Sequence, residues 1–379
     1  MTGGYPDDPW ALLAAGATEV LASADGLDVL PGVAARIRRW HQVDRIVQSL
    51  PAAGGLVGES PALRRALRTL VEIARFSDAP VLIQGESGTG KELAARLVHT
   101  LDPKRRSGPL VVVDCTTIVA NLSAPQLFGH ERGAFTGAHS ARSGAFADAH
   151  RGVLFLDEVG ELPESLQPEL LRVLQERTFR PLGSSTWQKT DFRLVCATNR
   201  NLEELEKAGR FRRDLRSRLS AVTVDMPPLS DRRDDIPALA RHFLGQVLQT
   251  KPPVIETAVE RILTVRPYPG NVRELRHLLA QIAVGYVGDG RITVGMVPEA
   301  ERPGAVARKG TTERTLRAAV REALDDGLDL RGLKSAVAEI AVEIALADCG
   351  GQLGRAAERL GVTTRALQLR KAMPAPGAG

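Results

Sequence analysis

The sequence predicts an α/β domain on a parallel sheet, followed by a helical subdomain and a small all-helical C-terminal domain. Three observations carry that expectation. Short apolar runs at Val81–Ile83, Leu110–Val113, Val153–Leu156 and Leu194–Ala197 are β-branched or leucine-rich and alternate with helical stretches, as strands buried on both faces do. A glycine-rich turn follows the first run and leads into a helix. After Pro227-Pro228 the strand-like runs stop, and helical spacing continues from about Ile236 to Tyr286 and again from about Thr312 to Ala372.

At 379 residues the chain has room for two or three domains of roughly 150 residues each. Apolar residues make up 43%, charged residues 25% and aromatic residues 4%, so a core of Leu, Val, Ala and Ile is expected and a disordered chain is excluded. No apolar run reaches the length of about 18 residues that a membrane helix needs. Met1–Trp10 carries Asp7 and Asp8 where a secretion signal would be basic and then apolar, so a cytoplasmic location without membrane contact is expected. Cys115, Cys196 and Cys349 are far apart and lack metal-ligand spacing, which points to reduced, packing cysteines. The net charge of +5 is unevenly spread: the first thirty residues hold only acidic charges, while Arg355, Arg359, Arg365, Arg370 and Lys371 crowd the C-terminus and suggest nucleic acid there.

Boundaries follow from these shifts. Residues 1–53 form a short leader, in which Val33, Ile37, Trp40 and His41 recur at helical spacing with Arg36, Arg38 and Arg39 between them. The α/β core spans 54–228 and the helical lid 229–298. A linker at 299–311 contains Pro303, Gly304 and Gly310, helices occupy 312–373, and the tail 374–379 is expected to be disordered. Within the last helical region, Leu353, Ala356, Ala357 and Leu360 lie on one helix face. Leu360-Gly361-Val362 makes a turn, and Thr363 or Thr364 caps a second helix, giving a helix-turn-helix.

The segment Gly85-Glu86-Ser87-Gly88-Thr89-Gly90-Lys91 sits where a phosphate loop must, after a strand and opening a helix. Its glycines let backbone N–H groups converge on phosphates, Lys91 supplies a point charge, and the helix N-terminus adds partial positive charge. ATP is the implied cofactor. Glu92 stands where a Ser or Thr hydroxyl usually binds magnesium, so Mg²⁺ depends on phosphate oxygens, water and a second acidic motif. In that motif, Leu154-Phe155-Leu156-Asp157-Glu158, the strand delivers Asp157 to the Mg²⁺ shell, partly through water, and Glu158 to the attacking water. Between the two motifs lies Gly133-Ala134-Phe135-Thr136-Gly137-Ala138, preceded by Leu127-Phe128-Gly129-His130-Glu131-Arg132. One aromatic ring among glycines, alanines and a threonine is poor core chemistry and suits a mobile tip that presents Phe135.

These motifs, in this order and spacing, resemble the bacterial enhancer-binding proteins, the AAA+ activators of sigma-54 RNA polymerase, over about Gly54 to Ala372. The resemblance implies an AAA+ P-loop ATPase core with its parallel sheet sandwiched by helices, a helical lid, and a Fis-type helix-turn-helix that binds enhancer DNA. Lys-Glu at 91–92 is what this family shows. The loop Gly133–Ala138 would contact the sigma factor, chiefly through Phe135 and Thr136. Arg212 and Arg218, six apart, would reach into a neighbouring subunit as arginine fingers, although Arg210, Arg213 and Arg216 add to the family pattern. Ala197-Thr198-Asn199 resembles the first sensor, with Thr198 or Asn199 orienting water and the Asn199 amide favoured. Arg273, in Pro269-Gly270-Asn271-Val272-Arg273-Glu274-Leu275, resembles the second sensor.

Asp114 aligns with a position that often carries Asn and restrains the catalytic glutamate. Neighbouring carboxylates raise one another's pKa, so coupling of Asp114 to Glu158 is expected. In the second helix of the helix-turn-helix, Thr364, Arg365 and Gln368 would meet base edges, while Arg370 and Lys371 would meet phosphates. A homo-oligomer follows, a hexameric ring when active and a dimer when inactive. The leader is too short for a phosphoacceptor receiver domain, so control is expected from a partner protein, acting near Trp40, or from expression level. Two alternatives share the nucleotide motifs: another AAA+ remodeller, and a DNA-bound regulator with a relic ATPase. The intact hexapeptide argues against both.

Overall fold

The computed structural model describes residues 9–16, 20, 30–50, 56–118, 124–249, 253–288, 290–302, 319–325, 327, 329–350, 352–365 and 367–368. The described residues fall into two compact units, Met1–Val297 and Pro298–Gly379.

The first unit begins with α1 (Pro9–Ala14), α2 (Leu30–Ser49) and α3 (Pro61–Phe76), which leads into β1 (Val81–Gln84). Ser60 caps α3 by accepting from Leu63 N, and Pro61 occupies the first turn, where its missing N–H costs nothing. Then come α4 (Lys91–Leu101), β2 (Leu110–Asp114), α5 (Ala124–Phe128), α6 (Ala145–Asp148), β3 (Val153–Asp157) and α7 (Gln167–Glu176). A small antiparallel hairpin, β4 (Thr178–Phe179) and β5 (Gln188–Lys189), precedes β6 (Arg193–Thr198), α8 (Leu202–Lys207), α9 (Arg213–Leu219) and β7 (Val222–Asp225).

The main sheet is parallel, in the order β2-β3-β6-β1-β7. Alternate strand residues feed two cores, as period two requires. Val81, Ile83, Val153, Phe155, Val195 and Ala197 pack with α3 and α4, whereas Leu82, Leu154, Leu156, Leu194 and Cys196 pack with α7 and α9. Both faces are therefore covered over β1, β3 and β6, which read as continuous apolar runs for that reason; β2, at an edge, keeps an apolar run although Val112 is exposed. The fifth strand, β7, escaped the reading because its edge position leaves Thr223 and Asp225 exposed between Val222 and Val224.

Helix α2 docks on α3, with Val43 buried, Arg39 Nη2 2.8 Å from Glu72 Oε1 and Arg68 Nη1 2.7 Å from Asp44 Oδ1. The docking face runs through Val43, Ile46 and Val47. Ile37 and His41, two positions of the expected apolar face, are exposed.

A buried ion pair ties the sheet to the helical layer. Arg193 Nη1 donates to Asp102 Oδ2 at 2.8 Å and to Ala74 O at 3.3 Å, and Nη2 donates to Ile73 O at 3.1 Å. Asp102 also receives Lys104 N and Arg105 N at the end of α4. Removing one charge strands the other inside the protein, so Asp102→Ala is expected to cost about 3–5 kcal/mol in chemical denaturation, read as a lower midpoint.

After β7, a 3₁₀ segment at Leu229–Asp235 leads into α10 (Ile236–Leu248), β8 (Val254–Ile255), α11 (Thr257–Val265), α12 (Asn271–Val284) and β9 (Arg291–Ile292). The helices share one core around Leu239, Leu244, Leu263, Leu275 and Leu279. The lid is not purely helical, because β8 and β9 form a parallel pair. Two residues per strand are too few for alternation to register in the sequence.

The second unit contains α13 (Leu330–Asp348) and α14 (Leu353–Arg359), joined around buried Ala345, Ala356, Ala357 and Leu367. Gly361 makes the turn after α14 with φ of +66°, a left-handed angle that glycine adopts freely, and Val362 N donates to Ala357 O at 3.0 Å. Residues 364, 365, 367 and 368 are helical, and Leu367 N donates to Thr363 O. Arg370, Lys371, the linker from Pro303 onward and the tail at 374–379 lie outside the described residues. Among the described residues, no helix is long and apolar enough to cross a membrane.

Candidate functional site

The site lies at the C-terminal ends of the central strands. The turn after β1 places Gly85, Gly88 and Gly90 at φ of +152°, +80° and +107°, and a side chain at Gly88 would come within 2.3 Å of Gly270 O. Glycine is therefore required there both for its angle and for the approach of a second chain segment. Lys91 is buried; its Nζ donates to Gly85 O at 2.8 Å and Glu86 O at 3.3 Å, and lies 3.2 Å from Glu158 Oε1. The ammonium thus hangs over a ring of backbone dipoles with one carboxylate in reach, an arrangement suited to a polyphosphate.

Glu158 sits at φ of +49° and ψ of +50°, a strained conformation for a residue with a side chain. The turn brings its Oε2 to the Asn199 N–H at 2.9 Å. The strand end that carries Asn199 is therefore linked directly to Glu158, through the main chain and not the side-chain amide. Burial and then the neighbouring Glu158 charge raise the pKa of Asp157, at the tip of β3.

Asp114 is paired in register with Asp157 across β2 and β3, but its Oδ1 accepts from Thr116 N and Thr116 Oγ1. These bonds close a turn, because the chain bends into a short 3₁₀ segment just after Asp114. Cys115, next along, is pushed up to about 12 by burial first and then by Asp114, Asp157 and Glu158, which leaves it an unreactive thiol.

Glu92 does not join the site. Its carboxylate pairs with Arg96 at 2.7 Å one turn along α4, both half-exposed. Among the described residues, no cluster of three His, Cys, Asp or Glu side chains could hold a metal alone. Asp157 is a donor suited to a hard cation shared with phosphate oxygens.

The lid reaches the phosphate loop through three neighbouring residues. Asn271 Nδ2 donates to Glu86 Oε2 at 2.9 Å and Ser87 O at 3.1 Å, Val272 N donates to Gly88 O at 3.0 Å, and Arg273 Nη1 donates to Ser87 Oγ at 3.0 Å. Asn271 also accepts Leu229 N on Oδ1 at 2.7 Å and adopts φ of +51°. The left-handed tolerance of asparagine was the available signal that Asn271, two residues before the expected sensor Arg273, has a role of its own.

The arginines of the 210–218 stretch divide. Arg212 forms a two-point pair with Asp214, at 3.0 and 2.8 Å, and Arg218 Nη2 lies 3.4 Å from Leu174 O; neither contact involves the phosphate loop. Arg216 is bound to Glu206 at 2.5 Å and Glu203 at 3.3 Å, and lines a cavity of about 470 Å³ together with Gln84, Gly85 and Asn199.

The hexapeptide caps a braced stem between β2 and β3. His130 and Arg142 exchange backbone hydrogen bonds of 2.9 Å, Glu131 N donates to Leu182 O, and Leu182 N donates to Gly129 O. Gly133 and Gly137 bend the tip at φ of +83° and +103°, with Gly133 N donating to Ala138 O at 2.9 Å. Phe135 is 45% exposed, its ring 5.0 Å from that of His130. Ala138 is buried, so its side chain anchors the loop and is not available as a contact.

Comparison with known proteins agrees with this geometry. Residues 56–225 match the model of the sigma-54 interaction domain, and 230–313 match the AAA+ ATPase lid domain. The chain is 41% identical over 325 residues to the transcriptional regulatory protein ZraR of Klebsiella oxytoca, covering 85% of this chain and 69% of that protein. It is 36% identical over 372 residues to the regulatory protein AtoC of Escherichia coli, covering 94% of this chain and 77% of AtoC. Against the Nif-specific regulatory protein of Azorhizobium caulinodans it is 46% identical over 234 residues, covering 61% of this chain but only 38% of that longer protein. A solved structure of NtrX from Brucella abortus in complex with ATP superposes with a TM-score of 0.59 at 30% identity, covering 95% of this chain and 79% of that one.

Proposed function

We propose, because this chain belongs to the sigma-54-dependent transcriptional activators, that a ring of its subunits completes the ATPase site and drives the Gly133–Ala138 loop against the sigma-54 polymerase. The chain is an AAA+ ATPase and an ATP-dependent activator of sigma-54 transcription. The observation that carries the coupling is the placement of Phe135: half-exposed, at the tip of a braced loop inserted between the two strands that end in Asp114 and Asp157. A change at the strand ends has a short path to the loop.

ATP binds with its phosphates over Gly85–Lys91. Lys91 moves its charge from Glu158 to the phosphates, which frees Glu158 to accept a proton from the attacking water. Asp157 would hold Mg²⁺ beside the phosphates, where the ion would supply charge neutralisation. Asn199 holds Glu158 in place through its N–H, and Arg273 senses the nucleotide from the lid.

Arg212 and Arg218 complete the site of the next subunit, since neither contacts the loop of its own chain. A mixing experiment tests this. Lys91→Ala and the double variant Arg212→Ala/Arg218→Ala are each expected to lose ATPase by about 10³-fold, and a mixture to recover activity, because each supplies the half that the other lacks. A mixture no more active than its parts would place these arginines outside the site. The helix-turn-helix brings Thr364, Arg365 and Gln368 to enhancer bases, supported by Arg370 and Lys371. Helix α2, docked on α3, is the place where a regulatory partner would act.

A further inference from the structure

The carbonyl face of the phosphate loop is held from outside, residue by residue. Ser87 O is bonded by Asn271, Gly88 O by Val272 N–H, and Thr89 O by Arg232, whose Nη2 is 2.8 Å away. All three donors come from the lid, the third, Arg232, from its first segment, which follows the core and serves as the hinge. It sits at a kink in that segment, with φ of −138° and ψ of 44°. Only 3% of its surface is exposed, and its Nε has no hydrogen-bond partner. Asp235, three residues on, spends its carboxylate on Glu59 N, Ser60 N and Ser60 Oγ, at 2.7 to 2.8 Å.

A buried guanidinium with an unpartnered nitrogen is poor economy for folding alone, since an apolar side chain of similar size often serves a core as well or better. What Arg232 does accomplish lies in the peptide that it touches. In a trans peptide the carbonyl and the following N–H point in opposite directions. Fixing Thr89 O therefore turns the Gly90 N–H the other way, at the N-terminus of α4, where the loop offers its donors to an anion. At Gly90, with φ of +107°, a glycine peptide would otherwise rotate freely.

We propose that Arg232 is a positioning residue of the phosphate loop, holding the Thr89–Gly90 peptide so that its N–H faces the triphosphate. The proposal rests on the reading of Gly85–Lys91 as the ATP cradle. It makes the hinge, as well as the second sensor, a point where lid movement acts on phosphate binding.

The test uses the full chain and competition against a fluorescent ADP analogue, with inorganic tripolyphosphate and adenosine as separate competitors. Arg232→Met is expected to weaken tripolyphosphate about tenfold, the equivalent of one charge-assisted hydrogen bond, and to leave adenosine unchanged. Arg232→Lys, which restores one donor, is expected to weaken tripolyphosphate only about threefold, again with adenosine unchanged. A residue that merely packs the hinge would move both competitors together or neither, and either pattern overturns the proposal. Should the methionine variant not fold, the lysine variant decides by the same split. Lys91→Ala serves as the control. If it still binds tripolyphosphate as wild type does, the cradle reading itself fails; if it loses binding while Arg232→Met does not, only the role of Arg232 fails.

Discussion

Glu158→Gln is expected to bind ATP as the wild type does and to lower turnover by about 10²–10⁴-fold, the contribution of a positioned general base. The substitution keeps the length of the side chain and an oxygen that can accept the Asn199 N–H, now 2.9 Å from Oε2. It removes the negative charge that faces Lys91 at 3.2 Å. Without that competitor, Lys91 is freer to meet phosphate, so ATP affinity should hold or improve while hydrolysis collapses. Steady-state ATPase together with an equilibrium ATP titration separates the two effects. Loss of binding in parallel with turnover would mean that Glu158 shapes the cradle and does not act on water.

Phe135→Ala is expected to leave ATPase within about twofold of wild type and to abolish open-complex formation at a sigma-54 promoter. The ring is half-exposed and lies against His130 at the surface, so its removal opens no core cavity, and surface changes of this kind usually stay within about 0.5 kcal/mol of stability. The loop keeps its stem, because the hydrogen bonds at His130, Glu131 and Gly133 are all main-chain. What disappears is the apolar anchor by which the loop would grip its target. Retention of both activities would remove Phe135 from the coupling path.

The sheet and the phosphate loop were legible in the sequence because burial on both faces writes continuous apolar runs, and because a glycine-rich turn between strand and helix has few other uses. The edge strand β7 was not legible, since its exposed positions carry Thr223 and Asp225. The site residues that sequence reasoning missed are those whose role depends on contacts across about 140 to 190 residues of chain. Arg232 meets Thr89 and Asn271 meets Glu86 only after the lid has folded back, and nothing in either local pattern announces this. Two acidic side chains near the site are held by local partners. Glu92 turns away because Arg96 stands one helical turn on, and Asp114 turns to the adjacent Thr116 because side-chain-to-backbone turns of this kind form at very short range.

The central claim is that hydrolysis, and not nucleotide binding alone, moves the loop against sigma-54. Its most direct test is open-complex formation at a sigma-54 promoter with purified polymerase and this chain, comparing ATP with a non-hydrolysable analogue at saturating concentration. The account predicts open complexes with ATP and none above background with the analogue. Equal yields with both nucleotides would contradict it.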